Sequence, residues 1–267
     1  MTRPRWWHAR DMRLATFNIL SGRSPTDDEV DEDRFAEAVA ALGADVLGLQ
    51  EVDRNQPRSK HADLTALAAE AMGAPEHRFV AALSGTPGAT WTASTGRDQP
   101  DSAAYGVALL SRYPVLGWEV VRLPAFPAPV PHRFHGQWRP EWVRDEPRVG
   151  VVAEVDTPAG RLRVATTHLS YLPWWNGHQL RVLLRGLRGE PRRPADPLVL
   201  MGDLNMGRER AERVTGMVPL ATDLTFPAHH PTEQIDHLLV RGDLDVTDGG
   251  AVALPMSDHL ALVADVR

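Results

Sequence analysis

The chain has 267 residues, 43% of them hydrophobic and 24% charged, which is enough apolar material for a substantial core. Its net charge of −6 lacks the overall basic character usual in sequence-reading DNA binders, although a catalyst needs only local positive charge or a metal. The absence of cysteine excludes disulfides, thiolate zinc sites and cysteine nucleophiles.

No stretch is apolar enough to span a bilayer, and the opening "MTRPRWWHARDM" is basic without the apolar core of a secretory signal. The expectation is a soluble, cytoplasmic, monomeric protein. Residues 1–11 form an extension ahead of a single domain over 12–267. Lys60 is the only lysine, which speaks of a GC-rich genome more than of function.

"RLATFNIL" (13–20) predicts a strand ending at Asn18. "DEDRFAEAVAAL" (31–42) carries apolar residues at helical spacing behind an acidic first turn, with Gly43 as its stop. "DVLGLQEVD" (45–53) is a buried strand with Glu51 at its end. A short helix over 62–72 and a strand near 78–83 follow, then a Gly/Ser/Thr/Pro-rich surface loop over 84–102.

"YGVALLSRYPV" (105–115) reads as strand, turn at Tyr113-Pro114, and strand. Residues 123–147 are too irregular for an element and too aromatic for a disordered linker, and a substrate lid is one role for them. "RVGVVAEVDTPAGRLRVATTHL" (148–169) is a hairpin around "TPAG", and 175–188 is helical. "PLVLMGDLNM" (197–206), "IDHLLV" (235–240) and "SDHLALVADV" (257–266) are strand-like. Hairpins mixed with strand–helix alternation predict α/β or α+β layers packed as one domain.

Strand after strand stops at a polar group. Asn18, Glu51, His168, Asp203 with Asn205, Asp236, and Asp258 with His259 all lie at the termini of apolar runs. Asp203 and Asn205, two apart, would leave their strand on one side. Each has an ordinary reading: a turn for "GDLN", a helix cap for "SDH", a packed histidine for "THL". His237 reads as packing. Taken together these readings need several coincidences, because each group is costly to bury unpaired. Converging strand ends would let the groups satisfy one another and hold a cation.

"TFNIL", "LQEVD", "YGVALLSRYP", "EPRVGVVAEV", "TTHLS", "MGDLN", "IDHLLV" and "SDHLALVADV", in that order, resemble the endonuclease/exonuclease/phosphatase superfamily, the group that contains DNase I. The resemblance runs from about residue 12 to 267. It implies a four-layer α/β/β/α sandwich of two facing mixed β-sheets flanked by helices, with the site at one edge between the sheets. It also implies Mg2+-dependent phosphoester cleavage. Hard oxygen ligands suit Mg2+, with Mn2+ as a substitute, and Glu51, Asn18 and Asp258 are the expected metal ligands.

Water is the expected nucleophile. The resemblance implies that Asp203 orients or deprotonates it and that Asn205 holds the phosphate or Asp203. Asp236 and His259 correspond to the family's Asp–His pair, whose imidazolium donates to the phosphate. His168 protonates the leaving oxygen or grips a phosphate oxygen, and Arg148 is a substrate-contact candidate. Members specialised for abasic DNA carry Asp where this chain has Leu20, and they lack the "THL" histidine.

A nuclease acting on DNA or RNA ranks first. A phosphatase or phosphodiesterase for a small or lipid phosphoester, such as an inositol phosphate or a sphingomyelin-like lipid, ranks second. A non-catalytic binding protein on the same fold ranks third. Trp174 and Trp175 after the "THL" strand could stack on bases, meet a lipid surface or pack beneath a loop.

Overall fold

The computed structural model describes residues 11–96, 98–133, 138–187 and 196–267, so 1–10 of the expected extension, 134–137 of the aromatic loop and position 188 lie outside the described residues. In chain order the first half contains β1 (Met12–Asn18), α1 (Glu32–Leu42), β2 (Val46–Arg54), α2 (Leu64–Met72), β3 (Glu76–Gly85), β4 (Trp91–Ala93) and β5 (Ala104–Ser111). Then come β6 (Val115–Leu123), β7 (Val130–His132), β8 (Glu141–Val143), β9 (Arg148–Thr157), β10 (Gly160–His168) and α3 (Trp175–Gly186). The last part is β11 (Leu198–Asp203), α4 (Arg208–Thr215), β12 (Val218–Pro219), β13 (Asp236–Arg241), β14 (Val246–Val252) and β15 (Ala261–Val266).

Seven strands form one sheet in the order β14-β15-β1-β2-β5-β3-β4, and six form another in the order β12-β13-β11-β10-β9-β6. Strand alternation explains how they stack. In β1, Leu14 points into the core between the sheets, while Ala15 and Phe17 point outward to Phe35, Val39 and Leu64 of the first helix pair. The second sheet buries Val151, Val164 and Met201 against the first sheet and Ala165, Leu200 and Leu239 against Leu180, Leu183 and Ala211 of α3 and α4. The result is the four-layer sandwich expected above. The sheets touch closely: a Cβ on Gly48 would lie 2.6 Å from Thr166 Oγ1 and 2.7 Å from Met201 Sδ.

Local signals set the helix ends. Asp31 and Asp63 cap α1 and α2 by accepting from the backbone N–H of Arg34 and Ala66, and Gly43 and Gly73 stop them in left-handed conformations. Asp11 is tied to the folded body, its carboxylate accepting from Thr247 Oγ1 at 2.6 Å and from Arg267. Among the described residues no helix is long and apolar enough to cross a membrane.

Several expectations need correction. Glu51 lies inside β2, at a bulge where the β2–β5 register shifts between Leu49 and Val52. The loop 84–102 contains β4, which adds an edge strand to the first sheet. The strand, turn and strand around Tyr113-Pro114 are as expected, and the turn crosses the sandwich, since β5 and β6 belong to different sheets. Within 123–147, where no element was expected, β7 and β8 pair antiparallel as a two-stranded ribbon. "SDH" is irregular and precedes β15, which begins at Ala261. Finally, α4, β12 and β14 were not anticipated.

Candidate active site

Parallel pairing brings the expected residues to one edge. β1 pairs with β2 in parallel and β10 with β11 in parallel, so Asn18, His168 and Asp203 all end strands on the same side. β5, β9 and β13 run antiparallel to those strands, so their beginnings, with Tyr105, Arg148 and Asp236, reach that edge too. Beneath the edge Gln50 joins the sheets, accepting from Thr16 Oγ1 at 3.2 Å and donating to Thr166 Oγ1 at 3.0 Å. Gly202 lets β11 approach β10, since at its φ of +138° a Cβ would sit 2.0 Å from the Thr167 carbonyl oxygen.

Asn18 is fully buried at the centre of the cluster. Its Nδ2 donates to Glu51 Oε1 at 3.1 Å and to Asp203 Oδ2 at 3.0 Å, joining residues 185 positions apart. Its Oδ1 is turned away to accept from the Leu20 N–H at 3.2 Å. The expected metal ligand thus presents its nitrogen, and the amide would have to turn over to offer oxygen to a cation.

Asp203 ends β11, but Asn205 does not continue the pleat. Its φ is +50° and its N–H donates to Asp203 Oδ1 at 2.9 Å, a turn closed by the aspartate itself. The two side chains still meet at His168, because Asn205 Nδ2 lies 3.2 Å and Asp203 Oδ2 lies 3.5 Å from His168 Nε2. Burial, with Asp236 beside it, pushes the Asp203 carboxyl up to about 7.

The two histidines occupy opposite electrostatic settings. His259 Nδ1 lies 2.9 Å from Asp236 Oδ2, which also accepts from Thr225 Oγ1 at 2.6 Å. Burial alone would hold His259 down, but the Asp236 carboxylate, with Asp203 and Asp258 behind it, takes it up to about 10. The ring is an imidazolium with Nε2–H facing the cleft, packed against Phe226 at 4.8 Å between centroids. His168 is instead held well below its ordinary value by burial and by the Arg148 guanidinium. Arg148 Nη1 lies 3.3 Å from His168 Nδ1 and Asn205 Nδ2 lies 3.2 Å from Nε2; both neighbours are donors, and a neutral ring can accept from only one of them.

The donor set fits a hard divalent cation. Glu51 is raised by burial, opposed by its bond from Asn18, and its φ of +55° is a backbone conformation a bulky residue adopts at a cost. Asp258 lies beside it, with Oδ1 4.0 Å from His259 Nε2 and its side chain 40% exposed. Asp203, Asp236 and His259 also offer one atom each within 4.8 Å of one another. That trio is the poorer cage, because a protonated imidazole has no lone pair for a metal.

Thr225, Phe226, Gln50 and Glu146 complete the cluster, and sequence reading did not single them out. "LTFPAHH" carries no periodicity, and an apolar strand gives no reason to expect Gln50 to bridge two sheets. His237 is buried, with Nε2 2.8 Å from the Met206 carbonyl oxygen, and belongs to the packing.

The family model for the Endonuclease/Exonuclease/phosphatase family matches residues 15–259. A structure of an endonuclease/exonuclease/phosphatase from Beutenbergia cavernae is similar at 26% identity and a TM-score of 0.68, over 97% of this chain and 72% of that one. Sphingomyelinase C from Streptomyces griseocarneus shares the fold at 17% identity and a TM-score of 0.65, over 96% and 99% of the two chains. Beta toxin from Staphylococcus aureus, with bound magnesium ions, does so at 13% identity and a TM-score of 0.62, over 96% and 100%. A search of curated proteins found no match.

Proposed function

This chain belongs to the endonuclease/exonuclease/phosphatase family, whose members are phosphoester hydrolases, and on that premise we propose that it is a Mg2+-dependent phosphodiesterase acting on nucleic acid by water attack. The observation that carries the reading is the Asn18 amide bridging Glu51 to Asp203, with a protonated His259 3.9 Å from the same Asp203 oxygen. One buried junction thereby holds a proton acceptor, a proton-rich donor and a carboxylate suited to a hard cation.

Glu51 and Asp258 would hold the ion, with Asn18 after its amide turns. A bound Mg2+ supplies charge neutralisation at a phosphate oxygen. Asp203, with a carboxyl near neutrality, orients water and takes its proton. Asn18 and the Asn205 N–H hold that carboxylate in position. His259 donates from Nε2 to a phosphate oxygen as charge builds, and neutral His168 faces the phosphate from the other side. Arg148 keeps His168 neutral and adds positive charge at that wall.

Support for a nucleic-acid substrate comes from tryptophans on the rim. Trp142 on β8 is 75% exposed, Trp138 ahead of that strand is 84% exposed, and Trp174 is 54% exposed. The Phe126–Trp174 edge contact at 4.5 Å and the Asp145–Ser170 hydrogen bond tie that loop to the segment after His168. Exposed rings of this kind offer stacking surfaces for unpaired bases. The second reading, a lipid or small phosphoester, draws on the fold shared with sphingomyelinase C and on the acidic net charge. The proposal extends to a cytoplasmic monomer, which fractionation and sedimentation test.

The deciding experiment offers plasmid DNA, single-stranded DNA, RNA, bis-p-nitrophenyl phosphate, p-nitrophenyl phosphate and sphingomyelin, each with Mg2+, Mn2+ or EDTA. Nicking or strand cleavage that EDTA abolishes is expected. Turnover of monoester or lipid alone moves the assignment to the second reading, and turnover indifferent to EDTA overturns both.

A further inference from the structure

Past Glu51 the cleft contains a cation that the chemistry above does not use. Arg58 follows β2 and turns back onto it, donating from Nε and Nη2 to the two oxygens of Asp53, each at 2.8 Å. Asp53 is fully buried, while the Arg58 side chain is 34% exposed. This fork occupies two of the five guanidinium N–H groups. Among the described residues the other three, two on Nη1 and one on Nη2, have no hydrogen-bond partner.

The topology puts this cation on the catalytic edge. Asp53 pairs across the sheet with Tyr105, which pairs in turn with Leu83, and Trp91 pairs with Gly85 at the end of β3. The guanidinium carbon lies 5.4 Å from the Tyr105 ring centroid and 5.9 Å from that of Trp91. From the facing sheet, Glu146 accepts from Trp91 Nε1 at 2.8 Å and lies 3.4 Å from Arg148. Asn18 thus joins His259 to Glu51, and Glu146 joins Arg148 to the Trp91 ring beside Arg58. Glu51 is among the groups that favour the charged form of Arg58.

We propose that Arg58 binds a second phosphate of the substrate, adjacent to the scissile phosphodiester, as the next linkage of a nucleic-acid strand would present it. This rests on the phosphodiesterase reading above. A plain structural partner for Asp53 would account for the bidentate pair. It leaves unexplained why a fork with three spare donors is fixed between two rings on the cleft side. Fixing the side chain beforehand removes most of the entropy that a free arginine loses on gripping an anion, so the donors are preorganised for phosphate.

The test uses two trinucleotides, one with phosphodiesters at both linkages and one with a neutral methylphosphonate at the second, and scores only the products of cleavage at the first linkage. Wild type is compared with Arg58→Lys and with the double variant Asp53→Asn/Arg58→Gln, which leaves no stranded buried carboxylate. Circular dichroism confirms that each folds. Wild type should prefer the phosphate neighbour by about tenfold or more in kcat/KM, mostly through KM, the effect of about one charge-assisted hydrogen bond. Arg58→Lys should keep part of that preference and the double variant should lose it. An equal preference in wild type and double variant overturns the proposal.

If wild type cleaves bis-p-nitrophenyl phosphate but neither the trinucleotides nor plasmid DNA, single-stranded DNA or RNA, the nucleic-acid reading fails by itself. Inhibition of that reaction by inorganic pyrophosphate then decides the role of Arg58. Weaker inhibition in the double variant supports the second-phosphate site, with a small polyphosphate as its source, and equal inhibition removes it.

Discussion

The His259 and His168 ends of the cleft hold the same side chain at nearly the same exposure, 5% and 6%, yet in opposite charge states. At one end two buried carboxylates, Asp236 and Asp203, overcome the cost of burial and keep an imidazolium. At the other end an arginine adds to that cost and keeps a neutral ring. Burial alone does not assign an acid; the sign of the nearest charge does. Two histidines in one cleft can then take different parts, one stabilising charge as a cation and the other acting as a neutral polar group.

The largest test of this contrast removes the group both histidines face. Asp203→Asn is nearly isosteric, so the far-ultraviolet spectrum should persist while turnover falls by roughly 100- to 10,000-fold, the range for a lost general base. A variant with near-normal turnover would remove Asp203 from the chemistry.

Asp236→Asn should come next, because it leaves the ring of His259 in place and takes away its charge partner. The alkaline limb of the pH–rate profile, set near 10 by the raised imidazole, should move toward its ordinary 6.5. The acid limb, governed by Asp203 near 7 without metal, lies lower in saturating Mg2+, since a cation favours the carboxylate. Stability follows the same group. A histidine raised on folding stabilises fully below 6.5, and that contribution is lost as the pH climbs toward 10. Urea unfolding with chelator should therefore weaken over this interval in wild type, and far less in the variant.

A smaller effect is expected between the two ends. Glu51→Gln should raise the Mg2+ concentration for half-maximal rate by at least about tenfold, since an amide is a weaker ligand than a carboxylate. An unchanged Mg2+ titration would exclude Glu51 as a ligand. The smallest effect is at the neutral end. Arg148→Met should let the His168 imidazole rise, though burial still holds it below its usual value, and should raise KM by roughly tenfold. Nuclear magnetic resonance titration of the ring reads the first change, and an unmoved His168 would refute the arginine's part in keeping it neutral.

Much of the fold was legible because apolar period and polar stops coincide. The hairpin of β9 and β10, the capped α1, and the runs ending at Asn18, His168 and Asp203 all follow from alternation and turn chemistry. The elements that escaped notice lack such a signal. In α4, "RERAERVT" buries only Ala211 and Thr215, and β14 reads "VTDGGAV" on an exposed edge with two glycines. Glu51 was misjudged as a strand end because a bulge, unlike a strand, has no period to read. Asn205 was expected on the pleat and reached the same neighbours through a turn.

What the sequence determined by itself was the list of groups at the edge and the kinship that orders them. Each is marked locally, by a polar residue where an apolar run stops. Only the tertiary structure decided what those groups are to one another: which way the Asn18 amide faces, which histidine is charged, and that Arg58 keeps three donors without a partner among the described residues. These properties arise from desolvation and from charged and polar groups brought together across up to 241 positions of chain, as between Asn18 and His259. A pattern read residue by residue carries no distance between such groups, and distance sets the energy.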